Sequence, residues 1–319
     1  MDLELKDIEE ARKRLAGYVR RTPIMAAPPL KSGLANDWNL YLKLENLQIT
    51  GSFKARGAVN KLLSLGPEAV AASPGLITAS GGNHGLGVAY AGWLSHKPVT
   101  VYVAESTPEA KVHKLEEWGA TVIKHGRSWN ESNQAALQQA EKEGLTYIHP
   151  FADPAVIAGQ GTLALEILED APDLDMILVA IGGGGLISGI ALGATSIKPS
   201  INVTGVEPVG APTLYESVKA GKLVELSAVN TIAGTLASRK SEEINLEIIR
   251  QHTREIVLVT DDEMKQAQEW LWFELGIASE PAAAAAMAAL LTEKVRPGPQ
   301  QNVCVVICAA NADIQFKID

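Results

Sequence analysis

Cysteine is scarce in this sequence, whose 319 residues include only Cys304 and Cys308. The two lie four positions apart in an apolar run with strand character, a separation of roughly 13 Å along a strand, which a disulfide cannot span. A chain without a disulfide framework is typical of a reducing compartment. We therefore expect a cytoplasmic protein.

Long apolar runs are also missing. No stretch approaches the ~18 apolar residues that a membrane-spanning helix needs, and the charged segment 1–7 is not typical of a secretory signal. The net charge of −9 argues against nucleic acid as a partner. Neither a membrane nor a nucleic acid is therefore expected as a partner, and the net charge says little about small substrates.

Several ligand signatures are absent as well. No His/Cys cluster or acidic repeat marks a metal site, so none is predicted, and Glu207 at a predicted strand end is only a weak candidate. The glycines do not follow the Gly-x-Gly-x-x-Gly spacing, and Gly-Lys-Ser/Thr does not occur. This pattern disfavours a nicotinamide dehydrogenase and a P-loop protein.

Apolar runs instead alternate with helical stretches. Strands are predicted at 40–44, 75–79, 99–104, 120–124, 146–149, 176–181, 203–206, 256–259 and 303–308. Helices are predicted at 6–16, from residue 54 onward, and at 85–95, 108–118, 130–142, 156–170, 186–197, 213–220, 242–251, 261–276 and 281–294. Such alternation predicts an α/β fold with parallel sheets covered by helices, and about ten strands are enough for two sheets.

Lys54 is the first candidate for chemistry. It follows Thr50-Gly51-Ser52, which is typical of a helix start, and so lies in the first helical turn. The positive end of the helix dipole favours a neutral amine there, which is the form that Schiff-base chemistry needs. The alternative is an exposed lysine with no chemical role.

Two glycine loops each follow an apolar strand and precede a helix. Residues 182–185 are four consecutive glycines, whose backbone N–H groups can converge on a phosphate; the alternative is a tight turn with close helix packing. The second loop, Ser80 to Gly85, offers the Ser80 hydroxyl and the Asn83 amide to a carboxylate or phenolic oxygen, or is an ordinary Asn/Gly turn. A lone histidine such as His84 is more often structural. Cys308, at a strand end, is either a ligand or a buried small hydrophobe.

A lysine amine, a phosphate cradle and a carboxylate-sized loop together indicate pyridoxal phosphate. The sequence resembles the fold type II pyridoxal phosphate enzymes, in the serine/threonine dehydratase and serine racemase branch. The resemblance covers nearly the whole chain and lies in Lys43-Leu44-Glu45-Asn46-Leu47-Gln48, Gly51-Ser52-Phe53-Lys54-Ala55-Arg56-Gly57-Ala58, Ser80-Gly81-Gly82-Asn83-His84-Gly85, His149-Pro150-Phe151, Ile157-Ala158-Gly159-Gln160-Gly161-Thr162, Gly182 to Leu186, Gly205-Val206-Glu207-Pro208 and Glu280-Pro281.

The resemblance implies a role for each site residue. Lys54 would form the Schiff base, Phe53 would pack on the cofactor ring, Asn83 would bond the ring 3-oxygen, and Cys308 would face the pyridine nitrogen. The phosphate would be held by Gly182, Gly183, Gly184, Gly185 and Leu186. The substrate carboxylate would be bound by Ser80, Gly81, Gly82, Asn83 and His84.

This assignment favours one reaction. A neutral thiol at Cys308 cannot hold a proton on the pyridine nitrogen, which disfavours a long-lived carbanion and favours prompt loss of a β-hydroxyl. A threonine/serine dehydratase, or ammonia-lyase, is therefore expected. Family racemases usually carry a serine where this chain has Gly81, so little racemisation is expected. The alternatives are an amino-acid racemase, a β-replacement enzyme and, in a different class, a non-catalytic phosphate-ligand binding protein.

The resemblance also implies an organisation. A large cofactor-binding domain would comprise residues 1–66 and 154–319, with a small mobile domain at 67–153, and relatives are commonly homodimers. The cation site of the family would involve Glu207 and the carbonyl near Ala211. Its usual acidic third ligand is replaced by Thr213, so cation activation is not expected.

Overall fold

The computed structural model describes residues 3–35 and 37–311 of the chain. Helices and strands alternate through most of this range, as the hydrophobic pattern predicts. Ten strands occur among the described residues: β1 (Ile24–Ala26), β2 (Asn39–Leu44), β3 (Leu76–Ala79), β4 (Val99–Val103), β5 (Ala120–Lys124), β6 (Thr146–Tyr147), β7 (Met176–Ala180), β8 (Asn202–Pro208), β9 (Glu255–Val259) and β10 (Asn302–Ile307).

The larger sheet has six strands in the order β1-β2-β10-β7-β8-β9. All neighbouring pairs are parallel except β1 and β2, which are antiparallel. Strand β7, with the sequence Met-Ile-Leu-Val-Ala, is buried along its whole length. A continuous apolar run of this kind is what a parallel strand covered on both faces requires.

The smaller sheet has four parallel strands in the order β5-β4-β3-β6. All four come from the segment between residues 76 and 147. The chain is therefore an α/β protein with two mostly parallel sheets, which confirms the predicted fold class.

Twelve α-helices connect these strands in the described part of the chain: α1 (Leu5–Leu15), α2 (Lys54–Ser64), α3 (Gly66–Ala72), α4 (Asn83–Ser95), α5 (Glu109–Glu117), α6 (Trp129–Glu143), α7 (Pro154–Asp170), α8 (Gly185–Ile197), α9 (Thr213–Ala220), α10 (Glu243–His252), α11 (Asp261–Leu275) and α12 (Pro281–Leu291). None of these helices is both long enough and apolar enough to cross a bilayer. The alanines of α12 are buried, so its alanine-rich run is a core helix.

Helix α2 packs between α4 and α7. Helix α4 connects β3 to β4 in the smaller sheet, and α7 precedes β7 of the larger sheet. The backbone of α2 approaches both helices closely. A Cβ atom on Gly87 of α4 would lie 2.9 Å from the Lys54 carbonyl oxygen, and one on Gly159 of α7 would lie 2.7 Å from that of Arg56. The glycines thus let α2 insert between the two helices, which places Lys54 where the two sheets meet.

The start of α2 differs from the prediction. The helix begins at Lys54 as expected, but its N-cap is Phe53 and no side chain caps it. A 3-10 turn, Ile49–Gly51, precedes it, and Thr50 adopts a φ of 65°. The Asn311 Nδ2 atom donates to the Thr50 carbonyl oxygen at 2.7 Å, which holds this left-handed residue in place. The sequence pattern also missed β1 and α3, which are too short for a clear period.

Candidate active site

Lys54 projects from the first residue of α2 into the region between the two sheets. Its Nζ atom donates to the Pro150 carbonyl oxygen at 2.7 Å and lies 5.1 Å from the centre of the Phe53 ring. Burial lowers the pKa of the Lys54 ammonium to about 8, since charge is disfavoured away from water. Loss of solvent, and not the helix dipole that the sequence suggests, is the main cause of this lowered pKa. With a pKa of about 8 most of the amine is protonated near neutral pH, but its neutral fraction is far larger than that of an exposed lysine.

The end of β10 lies against the start of α2. The Phe53 N–H donates to the Cys308 carbonyl oxygen at 3.1 Å, and Ser52 forms an isolated antiparallel bridge with Ala309. The Cys308 thiol is buried, and burial raises its pKa, so it is a neutral group. Strand β10 therefore delivers a neutral thiol beside the residues that flank Lys54.

The tetraglycine segment joins β7 to α8, and each of its glycines has a reason. Cβ atoms would lie 2.8 Å from the Thr235 carbonyl oxygen at Gly182, 2.2 Å from the Phe151 ring at Gly183 and 2.6 Å from the Phe151 carbonyl oxygen at Gly185, while Gly184 has a φ of +102°. Close packing thus explains why these positions are glycines, which agrees with the alternative prediction of a tight turn with close helix packing. Close packing does not, however, provide a hydrogen-bond acceptor for the backbone N–H groups of this segment.

Those N–H groups have no protein partner. Within residues 3–35 and 37–311, no atom accepts a hydrogen bond from the N–H groups of Gly182, Gly183, Gly184, Gly185 or Leu186. They stand at the N-terminus of a 13-residue helix, whose dipole favours an anion. The segment can hold a phosphate with backbone donors alone, so a packed turn and an anion cradle are compatible.

Side chains distant in sequence support the cradle. Ser241 Oγ donates to the Gly183 carbonyl oxygen at 2.8 Å. Asn245 Nδ2 contacts the Phe151 carbonyl oxygen at 3.2 Å and the Ser188 Oγ at 3.1 Å. Ser241 and Asn245 could not be predicted as site residues, because no local motif indicates contacts between residues about 60 or more positions apart.

The second glycine loop joins β3 to α4. The Gly82 N–H donates to the Ser80 Oγ at 3.3 Å, and α4 begins at Asn83. A Cβ atom on Gly81 would lie 3.0 Å from the Thr107 Cγ2. The Ser80 hydroxyl and the N–H groups that open α4 can bind a small carboxylate.

The Asn83 side chain is fixed on both sides. Its Nδ2 donates to the Glu280 Oε1 at 2.9 Å, and its Oδ1 accepts from the Asn311 Nδ2 at 2.7 Å. Thr235 Oγ1 donates to the same Glu280 oxygen at 2.9 Å. The sequence motifs do not predict the contacts of Glu280 with Asn83 and Thr235, which join residues far apart in the chain.

His84 is placed differently from its neighbours. Its ring is buried, with Nε2 lying 3.0 Å from the Ile148 carbonyl oxygen, which requires the proton to be on Nε2. Burial lowers the pKa of the imidazole well below its usual value, so the ring is neutral. The His84 ring is thus bound to the backbone. The backbone N–H group of His84 is the donor that remains for a ligand at the start of α4.

Glu207 is engaged by the protein. Its carboxyl oxygens accept from the N–H groups of Leu214 at 2.9 Å and Tyr215 at 2.7 Å, at the start of α9. Burial raises the pKa of the carboxyl to about 8. The neighbouring Thr213 hydroxyl donates to the Ser238 carbonyl oxygen. Among the residues described, no three His, Cys, Asp or Glu side chains gather as metal ligands.

A buried ion cluster lies beneath α2 and was not predicted. Arg56 pairs with Glu45 at 2.8 Å and with Glu166 at 2.6 Å, and Lys43 pairs with Glu166 at 2.6 Å. All four side chains are almost completely removed from solvent. The cluster joins β2, α2 and α7, and so anchors the helix that carries Lys54.

Comparisons with known proteins agree with this geometry. Residues 15–309 match the family model described as pyridoxal-phosphate dependent enzyme. An L-threonine ammonia-lyase of Geobacter sulfurreducens is 41% identical over 308 residues, which are 97% of this chain and 75% of that protein. A serine racemase of Dictyostelium discoideum is 36% identical over 313 residues, which are 97% of this chain and 95% of that protein. The solved structure of the processed form of threonine deaminase isoform 2 of Solanum lycopersicum has a TM-score of 0.88 at 33% identity, and the match covers 97% of this chain and 84% of that chain.

Proposed function

The chain belongs to the family of pyridoxal-phosphate dependent enzymes, and we propose that it is a dehydratase that converts L-threonine, L-serine or a related β-hydroxy amino acid to a 2-oxo acid and ammonia. Relatives named L-threonine ammonia-lyase, 41% and 37% identical over nearly the whole chain, support this reaction class. The substrate loses water across Cα and Cβ, and hydrolysis consumes one water to release ammonia. The reaction therefore needs no oxidant or reductant.

One observation carries the proposal. The Lys54 amine, whose pKa burial lowers to about 8, and the unpartnered N–H groups that open α8 both lie next to one turn. The His149-Pro150-Phe151 turn contacts both, since Pro150 accepts from Lys54 and Phe151 packs on Gly183. A nucleophilic amine and an anion cradle fixed to one turn are the two attachment points that an aldehyde cofactor with a phosphate requires.

Pyridoxal phosphate, when bound, supplies an electron sink that acidifies the substrate Cα–H. We assign Lys54 Nζ as the amine of the Schiff base, and Phe53 as a ring contact. We assign Asn83 as donor to the ring 3-oxygen and Cys308 as the partner of the pyridine nitrogen. We assign the phosphate to the N–H groups of Gly182, Gly183, Gly184, Gly185 and Leu186.

Lys54 then has a second task. When it is not bonded to the cofactor, its Nζ would be a free amine held in place by α2. A pKa of about 8 lets this amine accept the Cα proton near physiological pH and return it later. Movement of the smaller sheet towards the larger one would exclude water during this step.

Cys308 favours elimination over other outcomes. Burial raises the pKa of its thiol, so Cys308 would offer the pyridine nitrogen of a bound cofactor a neutral partner. A neutral partner would not hold a proton on the ring nitrogen, so the bound cofactor would be a weaker electron sink. Prompt loss of the β-hydroxyl is then the favoured course.

The asparagine loop is the proposed carboxylate site. Ser80 Oγ already accepts the Gly82 N–H, so its own proton is available to a ligand. The N–H groups of Asn83 and His84 open α4 and favour an anion. We assign the substrate carboxylate to this loop, which comprises Ser80, Gly81, Gly82, Asn83 and His84.

Racemisation is the second candidate, because a serine racemase is 36% identical over nearly the whole chain. A racemase needs an acid on the face of Cα opposite Lys54. Gly81 offers no proton at the position where family racemases usually carry serine. We therefore place dehydration first, with β-replacement as a further alternative.

We also propose the organisation of the chain. The four strands of the smaller sheet lie within residues 67–153, which supports a small mobile domain there and a large domain of residues 1–66 and 154–319. Trp272 and Phe273 on α11 are 57% and 82% exposed, which is compatible with a homodimer contact. The two cysteines are buried and unpaired, as expected in a reducing cytoplasm.

A substrate panel tests the function. The purified protein with pyridoxal phosphate is given L-serine, L-threonine and 3-hydroxyaspartate, and 2-oxo acid and ammonia are measured together with the D-enantiomers. We expect stoichiometric 2-oxo acid and ammonia from at least one of these. Production of D-amino acid at a comparable rate would favour the racemase, and incorporation of added sulfide would favour β-replacement.

A further inference from the structure

Glu280 joins three elements that are far apart in sequence. It is the N-cap residue of α12, and its side chain is 6% exposed. Its Oε1 accepts from Asn83 Nδ2, at the start of α4, and from Thr235 Oγ1, in the 3-10 turn Gly234–Leu236, both at 2.9 Å. The Glu280 carboxyl group therefore links α4 to the Gly234–Leu236 turn, which belongs to neither sheet.

Thr235 lies between the two glycine loops. Its carbonyl oxygen is 2.8 Å from the Cβ position of Gly182, and its Cγ2 is 3.7 Å from that of Gly82. The residue is exposed, while Glu280 and Asn83 are buried. Thr235 thus stands at the opening of the cleft, with its hydroxyl pointing inward to Glu280.

The hydrogen bonds explain why the carboxyl can remain buried. Removal from water disfavours its charge and raises its pKa, while the Thr235 and Asn83 bonds act in the opposite direction. If the buried Glu280 oxygen loses one of these hydrogen-bond donors, its removal from water is no longer compensated. Loss of the Thr235 hydroxyl should therefore alter the hydrogen bond that Asn83 donates to the same Glu280 oxygen.

We propose that Thr235, acting through Glu280, is a positioning residue that fixes the orientation of the Asn83 amide and holds the Gly234–Leu236 turn against the asparagine loop. Asn83 has two N–H bonds and uses one on Glu280, so the other remains for the ring oxygen of the cofactor. Asn311 holds the opposite end of the amide, and the Glu280 bond decides which edge faces the cleft. The proposal rests on the proposed cofactor role of Asn83.

Three variants of the full chain separate this role from simple stability. Thr235→Val removes the hydroxyl and keeps the shape, and Thr235→Ser keeps the hydroxyl and removes the methyl group. Thr231→Val is the matched control, because it removes a threonine hydroxyl from the same loop, four residues before Thr235, without removing a donor from Glu280. Thr231 Oγ1 donates to Asp261 Oδ1 at 2.6 Å and accepts the Ala233 N–H at 3.1 Å. Hydrogen exchange of residues 80–88, pyridoxal phosphate affinity and the absorption maximum of the bound cofactor are measured for each.

We expect Thr235→Val to speed exchange of residues 80–88 and to weaken pyridoxal phosphate binding about 5- to 10-fold, with a shifted absorption maximum, as befits one lost hydrogen bond. Thr235→Ser and Thr231→Val should match the unchanged protein. Equal behaviour of Thr235→Val and the unchanged protein would overturn the proposal, and so would an equal effect of Thr231→Val. If the unchanged protein bound no pyridoxal phosphate, the proposed function would fail, while exchange in the cofactor-free chain would still decide the role of Thr235.

Discussion

The Nζ atom of Lys54 lies 2.7 Å from the carbonyl oxygen of Pro150, a residue 96 positions further along the chain. The next residue, Phe151, packs its ring where a Cβ atom of Gly183 would be. The amine and the glycine cradle are therefore held at a fixed separation by one turn. The position of the amine relative to the cradle therefore depends on this turn more than on the lysine motif or the glycine motif. This relationship leads to predictions about the pH dependence of cofactor capture, about packing and about stability.

The first prediction concerns pH. Covalent capture of pyridoxal phosphate requires the neutral Lys54 amine, whose pKa is about 8 in the folded protein because the side chain is buried. The capture rate by cofactor-free protein should rise with pH up to about 8 and then level off. Stopped-flow absorbance over a pH series measures this. A rate that kept rising to the ordinary lysine range near 10.5 would show an amine exposed to solvent.

A second prediction concerns the close approach of Phe151 to the glycine cradle. Gly183→Ala would place a methyl group 2.2 Å from the ring, so the turn must shift. We expect a loss of about 1–3 kcal/mol in the free energy of unfolding together with weaker cofactor binding. Gly298→Ala is the control, because its Cβ would meet nothing closer than 3.6 Å. Unchanged stability and cofactor affinity in Gly183→Ala would refute the packing described.

The buried ion cluster gives a third prediction. Arg56→Met leaves the buried carboxylates of Glu45 and Glu166 without their main partner, which should cost about 3–5 kcal/mol of unfolding free energy. Arg12→Met removes an exposed pair with Glu169 and should cost less than about 1 kcal/mol. Urea denaturation compares the two. Similar losses in both variants would mean that the cluster does not anchor α2.

Reaction choice gives a fourth prediction. Gly81→Ser alone is crowded, since its Cβ would lie 3.0 Å from the Thr107 Cγ2, whereas Gly81→Ser with Thr107→Ser removes that methyl group. We expect the double variant to form D-amino acid from the L-substrate at least several-fold faster than the unchanged protein. Chiral chromatography gives the rate, and Thr107→Ser alone is the control. No gain in the double variant would show that the missing hydroxyl does not limit racemisation.

The local motifs were visible in the sequence because they consist of consecutive residues. Lys54 at a helix start and the glycines after β7 need only a strand, a turn and a helix to be recognised. The Asn83–Glu280–Thr235 contacts could not be found this way, since they join residues separated by up to 197 positions. Arg56 and Glu166 were hidden for the same reason, and only the packing of α2 against α7 brings them together.

Two local expectations show a different limit. The Thr50-Gly51-Ser52 segment has the composition of a helix cap, yet it forms a 3-10 turn that Asn311 stabilises from outside. Tertiary contact there overrides local preference. The Glu207 carboxyl, which the family resemblance relates to cation binding, accepts the N–H groups of Leu214 and Tyr215 at the start of α9. In both cases the deciding partner lies outside the motif.

The most direct test of the account is to map the cofactor on the chain. The protein is incubated with pyridoxal phosphate, reduced with borohydride, digested and analysed by mass spectrometry, with Lys61→Ala as a control on the same helix. The account predicts a yellow protein whose absorption band is bleached by borohydride and whose phosphopyridoxyl group is found on Lys54, in the unchanged protein and in Lys61→Ala, and lost in Lys54→Ala. A reduced cofactor on another lysine, or none on a protein that still forms 2-oxo acid, would contradict it.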